Sequence, residues 1–206
     1  MIRLYSLIAA GLIAALMGGL GYMVLTGSNQ AGLNQCRETS IAGGAGSIGG
    51  PFELVDHTGR TVTDADFADR PVLLYFGYTF CPDVCPLDTA RNAQAVDLLT
   101  ERGYDVTPVF VSVDHQRDTQ ELLAEFVRFM HPSMIGLTGT EEQIRNAARA
   151  YRVYYAAQES DDEFFLIDHS TFSYLMLPEH GFVDIIRRDQ SPEQVADTLA
   201  CFIDNA

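Results

Sequence analysis

The sequence PVLLYFGYTFCPDVCP occupies residues 71–86 and sets the architecture of the chain. Its first half, residues 71–78, is continuously apolar, a pattern that predicts a strand covered on both faces by other elements. The second half contains Cys81 and Cys85, each followed by a proline. Apolar residues then recur at helical spacing until Gly103, which predicts that a helix follows the cysteine pair and stops at that glycine.

Strands alternate with helices along the rest of residues 51–206. A short hairpin around Gly59 precedes the cysteine stretch. After it, the patterns predict strands at 106–113, 135–138, 164–168, 172–177 and 182–187, and helices at 119–131, from Thr140 with a capping box, and from Ser191. This order predicts an α/β domain with a mixed, mostly parallel sheet and helices on both faces. Because the cysteine pair lies where a buried strand gives way to a helix, the predicted fold is thioredoxin-like with an N-terminal hairpin.

Two helices have clear apolar faces in the sequence. In the helix at 119–131 the inward residues are expected to be Leu122, Leu123, Phe126 and Phe129. In the last helix they are expected to be Val195, Leu199 and Phe202. Both faces are predicted to pack on the central sheet.

Composition excludes several function classes. The 206 residues carry 13 basic and 28 acidic side chains, for a net charge of −15, and all 13 basic residues are arginine. A chain without lysine cannot perform Schiff-base chemistry or hold a phosphate with a P-loop lysine. The acidic charge, without a basic stripe, would repel a phosphate backbone, so we expect no nucleic acid among the partners.

Residues 1–27 are predicted to form a membrane anchor, so that a single transmembrane helix precedes the domain. The 23 residues from Leu4 to Thr26 are almost all apolar. At about 1.5 Å rise per residue, a helix of this length spans roughly 34 Å, enough for a bilayer core of about 30 Å. A cleaved signal peptide is the competing interpretation, but the run is long for a signal peptide and lacks an A-x-A-like ending.

The side of the membrane follows from Arg3, which the positive-inside tendency keeps in the cytoplasm. We therefore expect a single-pass protein of a bacterial inner membrane with its soluble domain in the periplasm. Residues 28–50 are rich in Gly, Ser, Asn and Ala, which predicts a flexible tether between the anchor and the domain at 51–206.

Three interpretations are open for the cysteine pair. If the helix starts near Pro82, Cys81 and Cys85 lie one turn apart on one face, close enough to share a metal or to form a redox disulfide. The N–H groups at a helix N-terminus favour the thiolate, which is both the nucleophile and the soft metal ligand. A purely structural disulfide is the third interpretation, although so short a loop constrains little of the unfolded chain.

A metal held by two thiolates needs a further ligand, and the chain offers five histidines. His57, His131 and His180 lie in predicted turns or at a helix end, where we expect solvated side chains. His115 and His169 follow predicted strands, where ligands tend to gather at the end of a sheet. A lone histidine is more often structural than a ligand, so position alone does not select one.

Separated motifs resemble those of a known family. They are YFGYTFCPDVCP at 75–86, VSVD at 111–114 with RDT at 117–119, VYY at 153–155 and DHS at 168–170. In this order they are similar to the motifs of the Sco/SenC family of copper-delivery proteins, and the resemblance covers about residues 51–206.

The resemblance implies a thioredoxin fold in which two cysteines and one histidine bind copper, as Cu(I) or Cu(II). It also implies delivery of the copper to the CuA site of cytochrome c oxidase subunit II. Matched by motif, the ligands are Cys81, Cys85 and His169, and two thiolates with an imidazole suit soft Cu(I) while tolerating Cu(II). Asp168 is expected to orient the His169 ring from outside the ligand set. His115 stands where many relatives have proline, which makes it a candidate fourth ligand.

A copper metallochaperone is the main expectation, with two alternatives. The first is a thiol–disulfide reductase that keeps the CuA cysteines reduced through Cys81 and Cys85. The second is a redox or copper sensor that signals through the anchor. A peroxiredoxin-type T-x-x-C pattern is missing, because Tyr78 and Pro82 stand where it needs threonine. Besides subunit II, the expected partners are other periplasmic copper carriers or thiol–disulfide reductases.

Two further cysteines lie outside these motifs. Cys36 in the tether and Cys201 in the last helix could form a disulfide that closes the tether onto the domain, or they could be two unrelated thiols. The thioethers of Met130, Met134 and Met176 are candidate ligands as well, although buried packing is the more common role of methionine.

Overall fold

The computed structural model describes residues 11–21, 32–37, 45–159 and 165–206. The strands are β1 Glu53–Asp56, β2 Thr61–Thr63, β3 Val72–Gly77, β4 Thr107–Ser112, β5 Ile135–Thr138, β6 Tyr155–Ala157, β7 Ile167–His169, β8 Ser173–Leu177 and β9 Gly181–Ile186. The helices are α1 Val84–Glu101, α2 Gln120–Met130, α3 Glu141–Ala150 and α4 Pro192–Asp204. Residues 11–21 are also helical. The predicted order of strands and helices within the domain is confirmed except for β6, which was not predicted.

Seven strands form one sheet in the order β2-β1-β5-β4-β3-β8-β9. β4 pairs in parallel with β3 on one side and β5 on the other, whereas the outer pairs are all antiparallel. The expectation of a mostly parallel sheet is therefore wrong. The short connections from β1 to β2 and from β8 to β9 permit only antiparallel pairing, and these hairpins supply both edges.

Helices cover both faces of the sheet, as predicted. On one face the Phe76 ring contacts Tyr151, which directly follows α3. On the other face the Phe110 ring lies 4.7 Å from that of Phe126 in α2, and α1 packs against α4. The whole of β3 and β4 is buried, which agrees with the apolar sequence of β3 and the largely apolar sequence of β4.

Local signals in the sequence were accurate at turns and helix starts. Gly59 and Gly103 both have positive φ, at 90° and 89°, at the hairpin turn and just after α1. The Thr140 and Ser191 side chains accept hydrogen bonds from the third residue of α3 and α4, and each forms a complete capping box. The inward residues predicted for the last helix are all buried.

The inward face of α2 differs from the prediction. Leu123 and Val127 are buried, but Phe129 is 86% exposed and Leu122 is 39% exposed. Leu123 and Val127 are four residues apart and pack over Gly136 of β5, where an added Cβ would meet both side chains within 3 Å. Because Leu123 and Val127 face the sheet, Phe129 lies on the opposite side of α2 and faces solvent.

The described part of the N-terminal region includes the helical residues 11–21, whose large apolar side chains are exposed. Most of the predicted anchor at 1–27 lies outside the described residues. Within the ranges that the structure describes, we find no helix both long enough and apolar enough to cross a membrane.

Parts of the predicted tether pack on the domain. Leu33 and Cys36 are buried in the same apolar cluster as α4, and Cys36 forms a disulfide with Cys201. The backbone N–H of Gly49 donates to the carbonyl of Ala150. The structure therefore supports the interpretation that Cys36 and Cys201 form a disulfide, rather than two unrelated thiols.

Candidate metal centre

The two central cysteines lie at the end of β3 and at the start of α1. α1 begins at Val84, so Cys85 is in its first turn and Cys81 lies in the loop before it. The prediction that both lie on one helical face is wrong, because the helix starts after Pro82, with Asp83 at its N-cap. The two sulfurs nevertheless come together, since the backbone N–H of Cys85 donates to Sγ of Cys81 over 3.4 Å.

Gly77, the last residue of β3, makes room for the buried Cys85 thiol. A Cβ at position 77 would lie 3.1 Å from the Cys85 sulfur and 2.9 Å from the ring of Tyr75. Both neighbours are buried and tightly packed. The absence of a side chain at this position therefore lets the Cys85 sulfur lie directly against the end of the sheet.

The third candidate ligand comes from a separate two-stranded sheet. β6 and β7 pair antiparallel, with Tyr155 opposite His169. Sequence analysis did not identify β6 as a strand, since it has only three residues. The pairing brings His169 over the cysteine loop, where its ring packs edge-on against the rings of Tyr75 and Tyr78.

The His169 ring has a defined tautomer. Its Nδ1 lies 2.9 Å from the carbonyl oxygen of Ser170, which can only accept, so Nδ1 carries the proton. Nε2 therefore presents its lone pair, and it lies 3.1 Å from Sγ of Cys85. The expectation that Asp168 orients the ring is wrong, because its side chain accepts instead from the amide of Gln158. Ser170 supplies the outer contact that metal-binding histidines commonly have.

The described residues contain one group of three or more His, Cys, Asp or Glu side chains able to hold a metal. It consists of Cys81, Cys85 and His169, whose ligand atoms all lie within 4.8 Å of one another. Both cysteines are free thiols and both are buried. The structure thus brings together two sulfurs and one imidazole nitrogen from elements more than 80 residues apart in the chain.

The three side chains differ in their protonation. Burial raises the pKa of Cys81, but hydrogen bonds from the backbone N–H groups of Cys85 and Asp83 outweigh it, so the pKa lies below its usual value. Burial raises the pKa of Cys85 far above its usual value. Burial also lowers the pKa of His169, so its neutral form persists at neutral pH. In the metal-free protein, the Cys85 thiol can donate a hydrogen bond to Nε2 of His169, and a bound metal would take the place of this hydrogen.

The SCO1/SenC family model matches residues 42–204. This chain belongs to the SCO1/SenC family.

Several relatives of this SCO1/SenC protein are closely similar. It is 57% identical to Protein SenC of Rhodobacter capsulatus over 169 residues, which are 82% of this chain and 76% of SenC. It is 44% identical to the mitochondrial SCO1 homolog 1 of Arabidopsis thaliana over 75% of this chain, but it spans only 46% of that protein's length. The crystal structure of Arabidopsis thaliana ScoI with copper bound matches with a TM-score of 0.75 and 42% identity, over 77% of this chain and 99% of that chain.

These comparisons agree with the fold described above. The copper-bound plant structure and this chain share the mixed α/β, thioredoxin-like architecture. BsSco, described as a member of the Sco family of cytochrome c oxidase assembly proteins, is 21% identical to this chain and shares its fold, with a TM-score of 0.59. The resemblance recognised in the sequence motifs is therefore confirmed at the level of the family.

The other histidines of this family member lie outside the cluster. His115 is half-buried, with Nε2 4.0 Å from the Glu141 carboxylate. His57 accepts at Nδ1 from the backbone N–H of Gly136. His131 was expected to be solvated, but it is buried and its Nε2 lies 3.1 Å from the Asp97 carboxylate of α1. The three methionines proposed as alternative ligands pack in or against the apolar core.

Sequence analysis missed residues that hold the cysteine loop and the histidine strand in place. Asp118 accepts hydrogen bonds from the backbone and side chain of Thr79, and Arg117 contacts Phe165 near the start of β7. The RDT motif at 117–119 contained both residues. Its place after the buried strand β4 was a signal that they lie at the same end of the sheet as Cys81.

Proposed function

We propose that this protein is a copper metallochaperone that binds copper through Cys81, Cys85 and His169 and delivers it to the CuA site of cytochrome c oxidase subunit II. The observation that carries the proposal is the convergence of two thiol sulfurs and the free Nε2 of an oriented imidazole. Copper bound in the solved plant relative supports copper as the metal.

The donor set favours copper over the common alternatives. Thiolate sulfur is a soft ligand that selects Cu(I), and imidazole also suits Cu(II), so one site can accept either oxidation state. A structural zinc site normally has four protein ligands. Since three ligand atoms converge here among the described residues, a coordination position stays free for a ligand from a receiving protein.

The ligand set can be tested by copper titration. The full-length protein, reduced and purified in detergent, is titrated with Cu(I) in competition with a chromophoric Cu(I) chelator. Cys81→Ser, Cys85→Ser and His169→Ala are expected to lose tight binding of one equivalent. His115→Ala is the matched control, because His115 contacts Glu141 rather than the cysteines, and it should bind as the wild type does.

Delivery requires a second measurement. Copper-loaded full-length protein is mixed with the reduced soluble domain of subunit II, the two are separated, and the copper content of the subunit II domain is measured. Transfer should depend on the three ligands and not on His115. Tight copper binding without any transfer would contradict delivery, while unaltered binding by His169→Ala would contradict the ligand set.

Anchoring of the domain through residues 1–27 to the bacterial inner membrane, with the domain in the periplasm, is part of the proposal. Support comes from the apolar sequence and from residues 11–21, which are helical with exposed Leu12, Leu16 and Leu20. We expect the protein to resist carbonate extraction from membranes and the domain to be digested by protease only after the outer membrane is opened. Recovery in the soluble fraction would contradict this part.

A second candidate function, thiol–disulfide reductase, is favoured by the contrast between the two thiols. The thiolate of Cys81 would attack a partner disulfide and form a mixed disulfide, and Cys85 would then displace the partner thiol. The dithiol gives two electrons to the partner disulfide and becomes the Cys81–Cys85 disulfide. The lowered pKa of Cys81 and the raised pKa of Cys85 suit these separate roles.

A substitution of His169 distinguishes the two functions. A reductase needs only the thiols, so metal-free His169→Ala should reduce an oxidised subunit II domain as fast as the wild type does. A metallochaperone without His169 should lose its tight copper binding. Loss of reduction in Cys81→Ser, with normal reduction in His169→Ala, would support the second function.

A further inference from the structure

Arg117 lies between the two segments that carry the candidate ligands. Its Nη1 donates to the carbonyl oxygen of Phe165 over 2.8 Å, two residues before β7. Its guanidinium carbon lies 3.8 Å from the centre of the Phe165 ring and 5.2 Å from that of Phe80, the residue before Cys81. One side chain therefore contacts both the cysteine loop and the segment that leads to His169.

The segment with His169 has no strand pairing with the seven-stranded sheet among the described residues. β6 and β7 pair with each other as a two-stranded sheet of three residues per strand, apart from the seven-stranded sheet. Such a hairpin is only marginally stable on its own in water. Another described hydrogen bond to the cysteine loop runs from the backbone N–H of Ile167 to the Tyr78 hydroxyl. Ile167 is buried in the apolar core, so the position of His169 depends on this packing together with the contacts to Tyr78 and Arg117.

Arg117 is itself firmly held. Its Nε donates to the carboxylate of Asp114, which lies two residues after β4 and is 1% exposed. The Arg117 side chain is 15% exposed, and its Nη2 is buried without a hydrogen-bond partner. Burying such a donor unpaired costs free energy, so the contacts with Asp114, Phe165 and Phe80 must together offset that cost. Because the buried Asp114 carboxylate fixes the guanidinium, a movement of the β6–β7 hairpin would break the contacts between Arg117 and Phe165.

We propose that Arg117 is a positioning residue that keeps Nε2 of His169 within reach of the Cys81 and Cys85 sulfurs. It ties the start of β7 to Asp114 and stacks between Phe165 and the cysteine loop. The inference rests on the proposed copper site, but its structural part concerns the metal-free protein as well. Arg117 touches none of the three ligand atoms, so its effect must pass through the hairpin.

The first test uses the metal-free, full-length protein and no copper. Arg117→Met keeps the length and apolar stem of the side chain but removes the guanidinium. Amide hydrogen exchange should become at least tenfold faster at Ile167, whose N–H donates to the Tyr78 hydroxyl, and at Ser170, whose N–H donates to Tyr154 within the hairpin. Arg128→Met, at an exposed position of α2, is the control and should leave these amides unchanged. Unchanged exchange in Arg117→Met would overturn the proposal.

The second test measures copper. Loss of a contact that orients a ligand typically costs about 10- to 100-fold in metal affinity, and we expect this loss of Cu(I) affinity in Arg117→Met. Nitrogen hyperfine coupling in the Cu(II) electron paramagnetic resonance spectrum should weaken, while sulfur-to-copper charge-transfer absorption remains. A merely destabilising substitution would not remove the nitrogen signal selectively.

A double-mutant cycle separates positioning from general damage. If Arg117 acts through His169, Arg117→Met should weaken copper binding little further once His169→Ala is present. Additive losses would overturn the proposal. If instead His169→Ala alone leaves affinity unchanged, the proposed ligand set fails, while the exchange test still decides whether Arg117 holds the hairpin.

Two milder variants cover the case in which Arg117→Met does not fold, since Asp114 would lose its partner. Phe165→Ala removes the stacked ring but leaves the Arg117–Asp114 pair intact. Arg117→Lys keeps the charge but lacks the planar fork that bonds Asp114 and Phe165 together. Both should show faster exchange at Ile167 and a smaller loss of copper affinity. Wild-type behaviour in both would also overturn the proposal.

Discussion

Asp118 accepts hydrogen bonds from both the backbone N–H and the hydroxyl of Thr79, 39 residues earlier in the chain. The same carboxylate accepts from the hydroxyl of Ser112 at the end of β4. Asp118 is buried, and this burial raises its pKa. Two residues before Cys81, the cysteine loop is thus tied to the end of the neighbouring strand.

Asp118→Asn should therefore destabilise the protein. The amide has one acceptor oxygen in place of two and turns an NH2 donor toward groups that already donate. A buried donor left unpaired costs about 1–3 kcal/mol, and we expect this decrease in the free energy of unfolding in urea. Asp69→Asn, at an exposed aspartate, is the control and should unfold within about 0.5 kcal/mol of the wild type. Equal stability of the two variants would contradict the role assigned to Asp118.

The two central thiols should react with very different pH profiles. The pKa of Cys81 is lowered by the backbone N–H groups of Cys85 and Asp83 against the opposing effect of burial, whereas burial raises the pKa of Cys85. Since the thiolate is the reactive form, alkylation of Cys81 should level off at a lower pH than that of a free cysteine, whose pKa is about 8.5. Cys85 should stay unmodified until the protein unfolds.

Peptide mass spectrometry after iodoacetamide treatment across pH 5–9, in the reduced and metal-free protein, measures both thiols at once. Unfolded protein in urea provides the control, because there both cysteines should titrate alike. Faster labelling of Cys85 than of Cys81 in the folded protein would contradict the assignment.

Gly77→Ala should displace the Cys85 sulfur from its position at the end of β3. The added methyl group would lie 3.1 Å from the Cys85 sulfur and 2.9 Å from the Tyr75 ring, both of which are buried. Overpacking of a tight core typically costs about 1–3 kcal/mol, and here the displaced atom is a candidate ligand. We expect lower stability together with weaker Cu(I) binding in competition titrations.

Gly46→Ala is the matched control, since nothing lies within 4 Å of its added Cβ. It should leave both the unfolding midpoint and copper affinity unchanged. A Gly77→Ala variant that behaves in the same way would show that the space beside Cys85 is not limiting.

The Cys36–Cys201 disulfide should stabilise the domain strongly. It joins residues 165 apart, and closing a loop of this size restricts the unfolded chain, by about 5 kcal/mol in the chain-entropy model. Replacing both cysteines by serine should lower the free energy of unfolding by about 2–5 kcal/mol. Copper affinity should be unaffected, because the disulfide and Cys85 lie at opposite ends of α1. Cys85 is in the first turn of α1, whereas the end of α4 that carries Cys201 contacts Tyr104, just after the last turn of α1. Equal denaturation curves with and without the bond would contradict the prediction.

The sequence predicted elements better than their arrangement. The buried strand at 71–78, the caps at Thr140 and Ser191 and the turn at Gly59 are local signals, and each was confirmed. The direction of strand pairing depends on contacts between distant residues, which a periodic pattern does not contain. The sheet was therefore predicted to be more parallel than it is.

Within the site, the family motifs selected the three side chains, while their orientation came only from the structure. Asp168 is adjacent to His169 and was the natural choice to orient its ring. In a β-strand, however, successive side chains point to opposite faces, so Asp168 is directed away from the ring and a backbone carbonyl takes its place. Phe129 shows the same limit on a helix, since its exposure depends on where Gly136 lets α2 approach.

The bond between Cys36 and Cys201 also closes the chain between them into a covalent ring that contains the cysteine loop and the histidine strand. One proteolytic cut anywhere between the two bonded cysteines opens this ring without releasing a fragment. Cys81, Cys85 and His169 would then remain parts of a single molecule, and two bands would separate on a gel only after reduction.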